Sequence, residues 1–180
     1  MGLKPPEPAI LRVGKRVYLR RPHLDDSREF LALMKASRKL HHPWVQPPTD
    51  RTAFAHYVER TCSDRCVGSL ICLREDEAIV GVANLSEIAR GLFQSCYLGF
   101  YGSAPYLGQG LMREGVELML RYAFRDLKLH RIEANVQPGN LRSLALVKAL
   151  GFKKEGFSPR YLKIAGRWRD HERWTRLADG

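Results

Sequence analysis

The 180-residue chain lacks the features by which several classes of protein are recognised. No apolar run approaches the roughly 20 residues that a membrane-spanning helix needs, so no membrane segment is predicted. The first ten residues, MGLKPPEPAI, carry prolines where a secretory signal requires an apolar stretch. No internal repeat and no low-complexity segment interrupts the chain. Residues 1–15 are therefore predicted as a loose tail and residues 16–180 as one folded domain.

Cysteine is scarce, and its spacing argues against a metal centre. The four cysteines form no CxxC pair, and no cluster of His and Cys offers four zinc ligands. Cys62 and Cys66 are four residues apart, which predicts reduced thiols packed on one face of a helix. This cysteine usage favours a reducing compartment, and we expect a cytoplasmic protein without a bound metal.

Acidic residues are outnumbered, 19 against 30 Lys and Arg, which gives a formal net charge of +11. Such an excess fits nucleic acid, an acidic partner, a polyphosphate ligand, or simply a solvated basic surface. The chain has no helix-turn-helix, RNA-recognition or zinc-finger signature. A nucleic-acid-binding module is therefore the least favoured class, and direct nucleic-acid binding is not expected to be the main function.

Hydrophobic periodicity and turn residues divide the chain into secondary-structure elements. The first part predicts a strand at 16–20, helices at 30–40 and 52–65, and strands at 67–74, 78–86 and 95–101. One apolar stripe then predicts a helix that carries Met112, Val116, Met119, Ala123 and Leu127. A strand at 131–136, a helix at 141–150 capped by Gly151, and two or three antiparallel strands from 152 to 177 follow. This order predicts one mixed, twisted sheet with helices on both sides.

The strongest chemical signal is YLGQGLM at residues 106–112, between a strand and the striped helix. Gly108 and Gly110 allow the backbone to approach a ligand closely. The free amides of the loop converge with the positive end of the helix dipole, an arrangement suited to a pyrophosphate. GxG before a helix also fits a plain turn. The segment lacks both the GK[ST] of a Walker loop and the GxGxxG of a dinucleotide fingerprint.

A second group of polar residues follows the striped helix. In the strand 131–136, Arg131, Glu133 and Asn135 share one face, and a polar face on a strand inside a mixed sheet suggests a cleft. Asn140 then opens a helix, and Ser143 lies three residues further on. For these two residues the alternative role is structural, as an N-cap and a first-turn serine.

The succession strand–YLGQGLM–helix–RIEANV–xPGN–LRSLALVKAL–GF closely resembles the GNAT acetyltransferase superfamily. GVANLSEIARG, HRIEANVQPGN, LGFKKEG and GRWRDH are similar to its bacterial Rim-type branch, the ribosomal-protein-alanine N-acetyltransferases. The resemblance covers nearly the whole chain. It implies a single GNAT-like α/β (mixed α+β) domain whose central twisted sheet has about six to seven strands.

The same resemblance implies an N-acetyltransferase that moves an acetyl group from acetyl-coenzyme A to a primary amine by direct attack in a ternary complex. The implied acceptor is the N-terminal α-amine of a protein, by resemblance a ribosomal one. A small-molecule amine is the alternative, because this superfamily combines one donor site with many acceptor pockets. The basic surface would then assist docking near ribosomal RNA or an acidic partner, and the sequence predicts no oligomeric state.

The resemblance also assigns residues to the co-substrate. The superfamily pattern [QR]xxGx[GA] falls on residues 107–112, where Gly110 matches its central glycine while Leu107 and Met112 depart from it. Amides around Gln109–Arg113 would hold the pyrophosphate, and the strand Leu98–Tyr101 would hydrogen-bond to the pantetheine arm. The implied co-substrate residues are Leu98, Gly99, Phe100, Tyr101, Leu107, Gly108, Gln109, Gly110, Leu111, Met112, Arg113, Asn140 and Ser143.

Two proton-transfer positions of the family are changed in this chain. The position of the family's acidic tyrosine is Val147, so the serine of the N-x-x-S pattern, Ser143, is implied as the donor to the sulfur. The positions of two bases used by relatives fall on Asn135 and Arg160. Glu133 is the first candidate for the base because it shares a face with Asn135, and an ion pair with Arg131 is its alternative role. Further candidates, acting through water, are Glu87, His130 and His171.

Overall fold

The structure, a computed structural model, describes residues 9–178 apart from the side chain of Cys62. In this range nine strands form one sheet: β1 Ile10–Val13, β2 Val17–Arg20, β3 Cys62–Ser63, β4 Cys66–Leu73, β5 Ile79–Ala89, β6 Ser95–Gly102, β7 Arg131–Val136, β8 Lys153–Ile164 and β9 Arg167–Leu177. Eight of them follow the order β1-β2-β4-β5-β6-β7-β9-β8, and the short β3 pairs with β4. Only β6 and β7 are parallel neighbours along this path, so the mixed sheet is confirmed.

Helices cover both faces of the sheet, as the sequence predicts. They are α1 Ser27–Ala36, α2 Arg38–His41, α3 Arg51–Arg60, α4 Leu111–Arg121 and α5 Leu141–Ala149. On one face, Phe30 of α1 and Phe54 of α3 pack on Leu70 and Val82. On the other face, α4 and α5 contribute to a larger core that includes residues of most strands. Gly115 allows α4 to lie close to the sheet, because a Cβ there would be 2.6 Å from atoms of Ile71.

Two strands lie where the sequence predicts something else, which is why the sheet exceeds six to seven strands. β1 falls in the segment predicted as a tail; it pairs with β2, and Arg12 Nε donates to Asp126 at 2.9 Å. Residues 1–8 of that segment lie outside the described residues. β3 falls at the end of the helix predicted over 52–65. That helix ends at Arg60, where the buried Thr61 hydroxyl donates to the Tyr57 carbonyl and the chain turns into β3.

The shared helical face predicted for Cys62 and Cys66 is therefore wrong. Cys62 lies on β3 and Cys66 on β4, two antiparallel strands joined by a tight turn. A spacing of four residues is equally compatible with such a hairpin, so the spacing alone does not distinguish a helix from a hairpin. The other two cysteines are buried, and burial raises the pKa of both the Cys72 and the Cys96 thiol to about 12.

The helix boundaries that frame the later site agree with the sequence apart from one end. α4 begins at Leu111, but after Arg121 the chain continues as a π-helical turn, in which the Leu127 amide donates to the Tyr122 carbonyl. The cap of α5 is confirmed. Gly151 has φ +78°, its amide donates to Lys148 and the next amide donates to Val147, the hydrogen bonds of a Schellman motif. Within the described range, no helix has the length and apolarity to cross a membrane.

Candidate active site

A gap opens in the middle of the sheet between β6 and β7. Their parallel pairing covers only Ser95–Tyr97 against Arg131–Glu133, although β6 continues to Gly102 and β7 to Val136. Beyond the paired part, Leu98–Tyr101 are bonded to β5 on one side and have no strand partner on the other. Because backbone polar groups need hydrogen-bond partners, this open edge suits an extended ligand that carries amides.

The loop YLGQGLM lies directly beyond the open end of β6 and leads into α4. Gly108 and Gly110 have φ +74° and +75°, in the left-handed region that glycine adopts without strain. Gly110 is the N-cap of α4, where no side chain caps the helix. Among the described residues, the amides from Gly108 to Arg113 have no hydrogen-bond partner. These amides and the helix dipole create an anion site at the mouth of the gap.

Arg16 and Glu114 hold this loop, a role that the sequence did not reveal. Arg16 Nη1 donates to the Gln109 carbonyl at 2.9 Å, and its Nε donates to Glu114 at 3.1 Å. Glu114 also accepts from the Arg16 amide at 2.8 Å. Although partial burial acts to raise it, these hydrogen bonds hold the pKa of Glu114 below its usual value. The carboxylate is therefore ionised at neutral pH, and it fixes the first turn of α4 against β2.

Met112, which departs from the family pattern, has room because two glycines face it. Gly81 and Gly102 are paired across β5 and β6. A Cβ at Gly81 would be 2.5 Å from the Met112 sulfur, and one at Gly102 would be 2.9 Å from its Cγ. The methionine thus occupies the space that two absent side chains leave. This explains why the position tolerates a large residue. Leu107, the other departure, is 42% exposed and packs little.

Polar side chains of β7 line one side of the gap. Glu133, 13% exposed, accepts from Arg131 Nη2 at 3.3 Å, and the same guanidinium binds Glu155 and the Thr175 hydroxyl. The ion pair named above as the alternative role of Glu133 is therefore present. Asn135 lies two residues further along the same face, and its Oδ1 is buried without a hydrogen-bond partner. This unpaired, buried oxygen is suited to accept a hydrogen bond from an N–H group of a ligand.

Comparison with known proteins agrees with this geometry. Residues 16–153 match the family model described as an acetyltransferase (GNAT) domain. The chain belongs to the GNAT acetyltransferase family. It is 34% identical over 167 residues to the Bacillus subtilis protein named "Probable N-acetyltransferase YjcK", a match that covers 88% of this chain and 92% of that protein. The chain is an acetyl-coenzyme A-dependent N-acetyltransferase, and its loop, gap and unpaired amides fit that co-substrate.

Two further matches extend the comparison, and the first is named for a ribosomal protein. The Escherichia coli [ribosomal protein uS5]-alanine N-acetyltransferase is 46% identical over 97 residues, 54% of this chain and 50% of that protein. The solved structure of Mycobacterium smegmatis RimJ in complex with CoA-disulfide has a TM-score of 0.83 at 26% identity and covers 90% of this chain and 82% of that one. In the described part of the acetyltransferase, no group of three or more His, Cys, Asp and Glu is placed to hold a metal.

At the start of α5 the acetyltransferase has both residues of the predicted N-x-x-S pattern. The Asn140 side chain accepts from the Ser143 amide at 3.2 Å, so its structural role as an N-cap is present. The Ser143 hydroxyl is half-buried and has no hydrogen-bond partner among the described residues. It therefore remains available as a donor. Val147, at the position of the family's tyrosine, is fully buried in the core and takes no part in the gap.

The three alternative bases lie in different surroundings. Glu87 is 63% exposed and pairs with Arg65, and His130 is an exposed residue just before β7, so both lie toward the closed end of the gap. His171 is buried on β9, and its Nδ1 lies 2.9 Å from the Arg169 carbonyl. Burial lowers the pKa of His171, which makes the neutral imidazole the form present at pH 7. With Nδ1–H donating to that carbonyl, Nε2 is the basic nitrogen.

The β8–β9 hairpin covers one side of the gap. β7 ends at Val136, opposite Glu172, so the hairpin tip runs past β7 and folds over the sheet. There the Ala165 amide donates to Gln46 at 3.2 Å. The Tyr161 hydroxyl lies beside Tyr97 of β6; this contact and partial burial raise the pKa of Tyr97 to about 12.

A cavity of about 290 Å³ adjoins this covered face. It opens between residues 46–49 and α3, and Tyr57 and Arg60 are part of its lining. The Tyr57 hydroxyl donates to Asn84 at 3.0 Å, and Asn84 pairs with Gly99 of β6. The cavity therefore lies on the face of the sheet that also carries Tyr97 and Glu133.

Proposed function

We propose that this acetyltransferase acetylates the N-terminal α-amine of a protein, and that a ribosomal protein is the first acceptor to test. The similarity to the uS5-alanine N-acetyltransferase, 46% identical over 97 residues, carries this choice. The covering hairpin and the cavity beside α3 leave a cleft, rather than a flat surface, for the end of a chain.

The donor side is assigned to the residues around the open edge. The amides of residues 108–113 hold the pyrophosphate at the start of α4, and Arg16 keeps the loop in place through the Gln109 carbonyl. The backbone of Leu98–Tyr101 bonds to the pantetheine arm along the unpaired side of β6. Acetyl-coenzyme A supplies the activated acetyl group as a thioester when it is bound.

The acceptor amine is assigned to the polar face of β7. Asn135 Oδ1 accepts a hydrogen bond from the amine and so orients the lone pair of the amine nitrogen. Glu133 remains bound to Arg131 and supplies negative charge near the amine. An α-amine has a pKa of about 7.7–8.0, so a substantial part is already neutral near pH 7.5 and only a mild base is needed. Ser143 donates its hydroxyl proton in a hydrogen bond to the departing sulfur. Placing these groups correctly supplies much of the rate enhancement.

The experiment is a comparison of acceptors with release of coenzyme A as the measurement. A peptide beginning with alanine and containing an internal lysine is compared with the same peptide acetylated at its N-terminus, and with spermidine. Turnover of the free peptide alone, with mass spectrometry placing the new acetyl group on the α-amine, supports the proposal. Turnover of the blocked peptide, or of spermidine without any peptide, would assign the enzyme to another class of amine.

A further inference from the structure

The cleft face of β9 carries two arginines without ionic partners. Because side chains alternate along a strand, Arg169, His171 and Arg173 share one face, and Arg173 is directly opposite Asn135 of β7. Neither guanidinium makes a hydrogen bond or ion pair with any described residue. In both arginines Nε is buried without a partner. Room for Arg173 comes from Gly156, where a Cβ would be 2.5 Å from Nη2.

The carboxylates of the same hairpin are all engaged elsewhere. Glu155, together with Glu133 of β7, binds Arg131. Glu172 faces the other side of β9, where it binds Lys154 at 2.7 Å and the Trp174 indole at 3.0 Å. Asp170 accepts from the Arg160 amide at 2.7 Å. Glu155 is near enough to attract Arg173, but no carboxylate of the hairpin makes a hydrogen bond or close ion pair with Arg169 or Arg173. Both arginines therefore keep donors for an anion on the side of the hairpin that faces the acceptor.

The two arginines and the neutral His171 between them favour a carboxylate as the ligand. A guanidinium presents a planar set of donors that matches a carboxylate, and a buried N–H such as these Nε groups normally has an acceptor. His171, between the two arginines, is neutral because burial lowers its pKa, so it neither adds charge nor competes for an anion. The same positive face disfavours a polyamine, whose cationic groups would meet two arginines.

We propose that Arg169 and Arg173 form a carboxylate-binding subsite, and that the preferred acceptor is a protein N-terminus with Asp or Glu in its first residues. This rests on the proposed function. Arg173 is beside Asn135, where the amine is assigned, and Arg169 lies four residues further along β9. Because a strand rises about 3.3 Å per residue, that distance is about 13 Å, which an extended peptide covers in about four residues. The two arginines thus match acidic side chains from the second to about the fifth position of the acceptor.

The test uses peptides that differ only in charge. Each begins with alanine and carries Glu, Gln or Lys at positions two to five, and kcat/KM is measured at low and at physiological salt. We expect the Glu peptide to exceed its Gln counterpart at least about tenfold, mainly through KM, because charge-assisted hydrogen bonds to arginine are lost in the Gln peptide. The Lys peptide is expected to be the poorest, and the preference is expected to shrink as salt rises.

Variants locate the effect. Arg169→Gln and Arg173→Gln should each reduce the preference for Glu over Gln to less than about threefold, and Arg169→Glu should favour the Lys peptide. Arg125→Gln removes the same charge from an exposed residue of the π-helical turn after α4, and it should leave the preference unchanged. Melting temperatures confirm folding. Where an arginine variant does not fold, the peptide series with the parent enzyme still shows whether acidic acceptors are preferred.

The outcomes separate the two proposals. Equal use of Glu and Gln peptides by the parent enzyme overturns the subsite while protein N-terminal acetylation stands. A preference for Glu that persists in both Arg169→Gln and Arg173→Gln also overturns it. Acetylation of spermidine without turnover of any peptide overturns the proposed function itself. If a short RNA inhibits acetylation of the Glu peptide by the parent enzyme but not by either arginine variant, the two arginines bind phosphate instead.

Discussion

Replacing Gly110 by aspartate and by asparagine isolates the electrostatic role of the loop before α4. Gly110 has φ +75° and ψ 2°, and a Cβ there would be 3.3 Å from Arg16 Nη2. Asp and Asn have nearly the same shape, and both adopt the left-handed region more readily than other side chains. Gly110→Asp and Gly110→Asn therefore differ essentially by one negative charge beside the unpaired amides.

The expected size follows from Coulomb's law. Two like charges about 4 Å apart repel by about 4 kcal/mol at an effective dielectric constant of about 20. Solvent, salt and the Arg16 guanidinium beside the new carboxylate reduce the repulsion to about 2–3 kcal/mol. This corresponds to a roughly 30- to 150-fold weaker binding of coenzyme A by the Asp variant than by the Asn variant. Both variants also carry left-handed strain of about 1–2 kcal/mol, which lowers the melting temperature rather than the affinity.

Isothermal titration of coenzyme A at two salt concentrations measures the difference. Gly151→Asn is the control, because Gly151 has φ +78° and no atom lies within 4 Å of its Cβ position. It should lower the melting temperature by a similar amount and leave the affinity unchanged. The ratio between the Gly110 variants should shrink at high salt. Equal affinities of the Asp variant, the Asn variant and the parent would refute the assignment of the pyrophosphate to this loop.

Two other predictions concern proton transfer and pH. Ser143→Ala should lower kcat about tenfold to a hundredfold while the affinity for coenzyme A stays within about twofold, because the Ser143 hydroxyl is assigned to the leaving sulfur. If single-turnover kinetics show an unchanged rate of acetyl transfer, Ser143 is only a residue of the first helical turn. Burial lowers the pKa of both His41 and His171, so between their folded pKa and about 6.5 the unfolded chain binds more protons. The free energy of unfolding should therefore fall as pH drops below about 6.5, and His41→Asn with His171→Asn should flatten that dependence of the melting temperature; an identical slope would contradict it.

The features that sequence predicts correctly are those encoded locally. The alternation of Arg131–Val136 predicts β7, and the four- and three-residue steps from Met112 predict α4. Asn140 and Gly151 mark the two ends of α5 through hydrogen bonds within a few residues. The loop of Gly108 and Gly110 belongs to the same class, since each left-handed φ is a property of a single residue.

The features that sequence did not predict depend on residues far apart in the chain. Arg16 bonds to Gln109 across 93 positions, and nothing local distinguishes this arginine from the many others. Space for Met112 depends on Gly81 and Gly102, which meet only when β5 and β6 pair. The position of the hairpin tip over the sheet depends on how far β9 extends beyond the end of β7. The same extension determines where the two arginines of β9 lie. Periodicity does not contain this information.

The short pairing between β6 and β7 also has a consequence for how the protein unfolds. Strands β1–β6 and strands β7–β9 are joined in the sheet only through Ser95–Tyr97 and Arg131–Glu133, while every adjoining pair has a longer ladder. The core beneath α4 must therefore supply most of the cooperativity between the two parts, and we expect partial opening to start along this seam. A ligand that bridges the seam raises the apparent stability by about 2.7 kcal/mol at a hundred times its Kd. The persistence of this enzyme in a cell is thereby tied to the local supply of its own co-substrate.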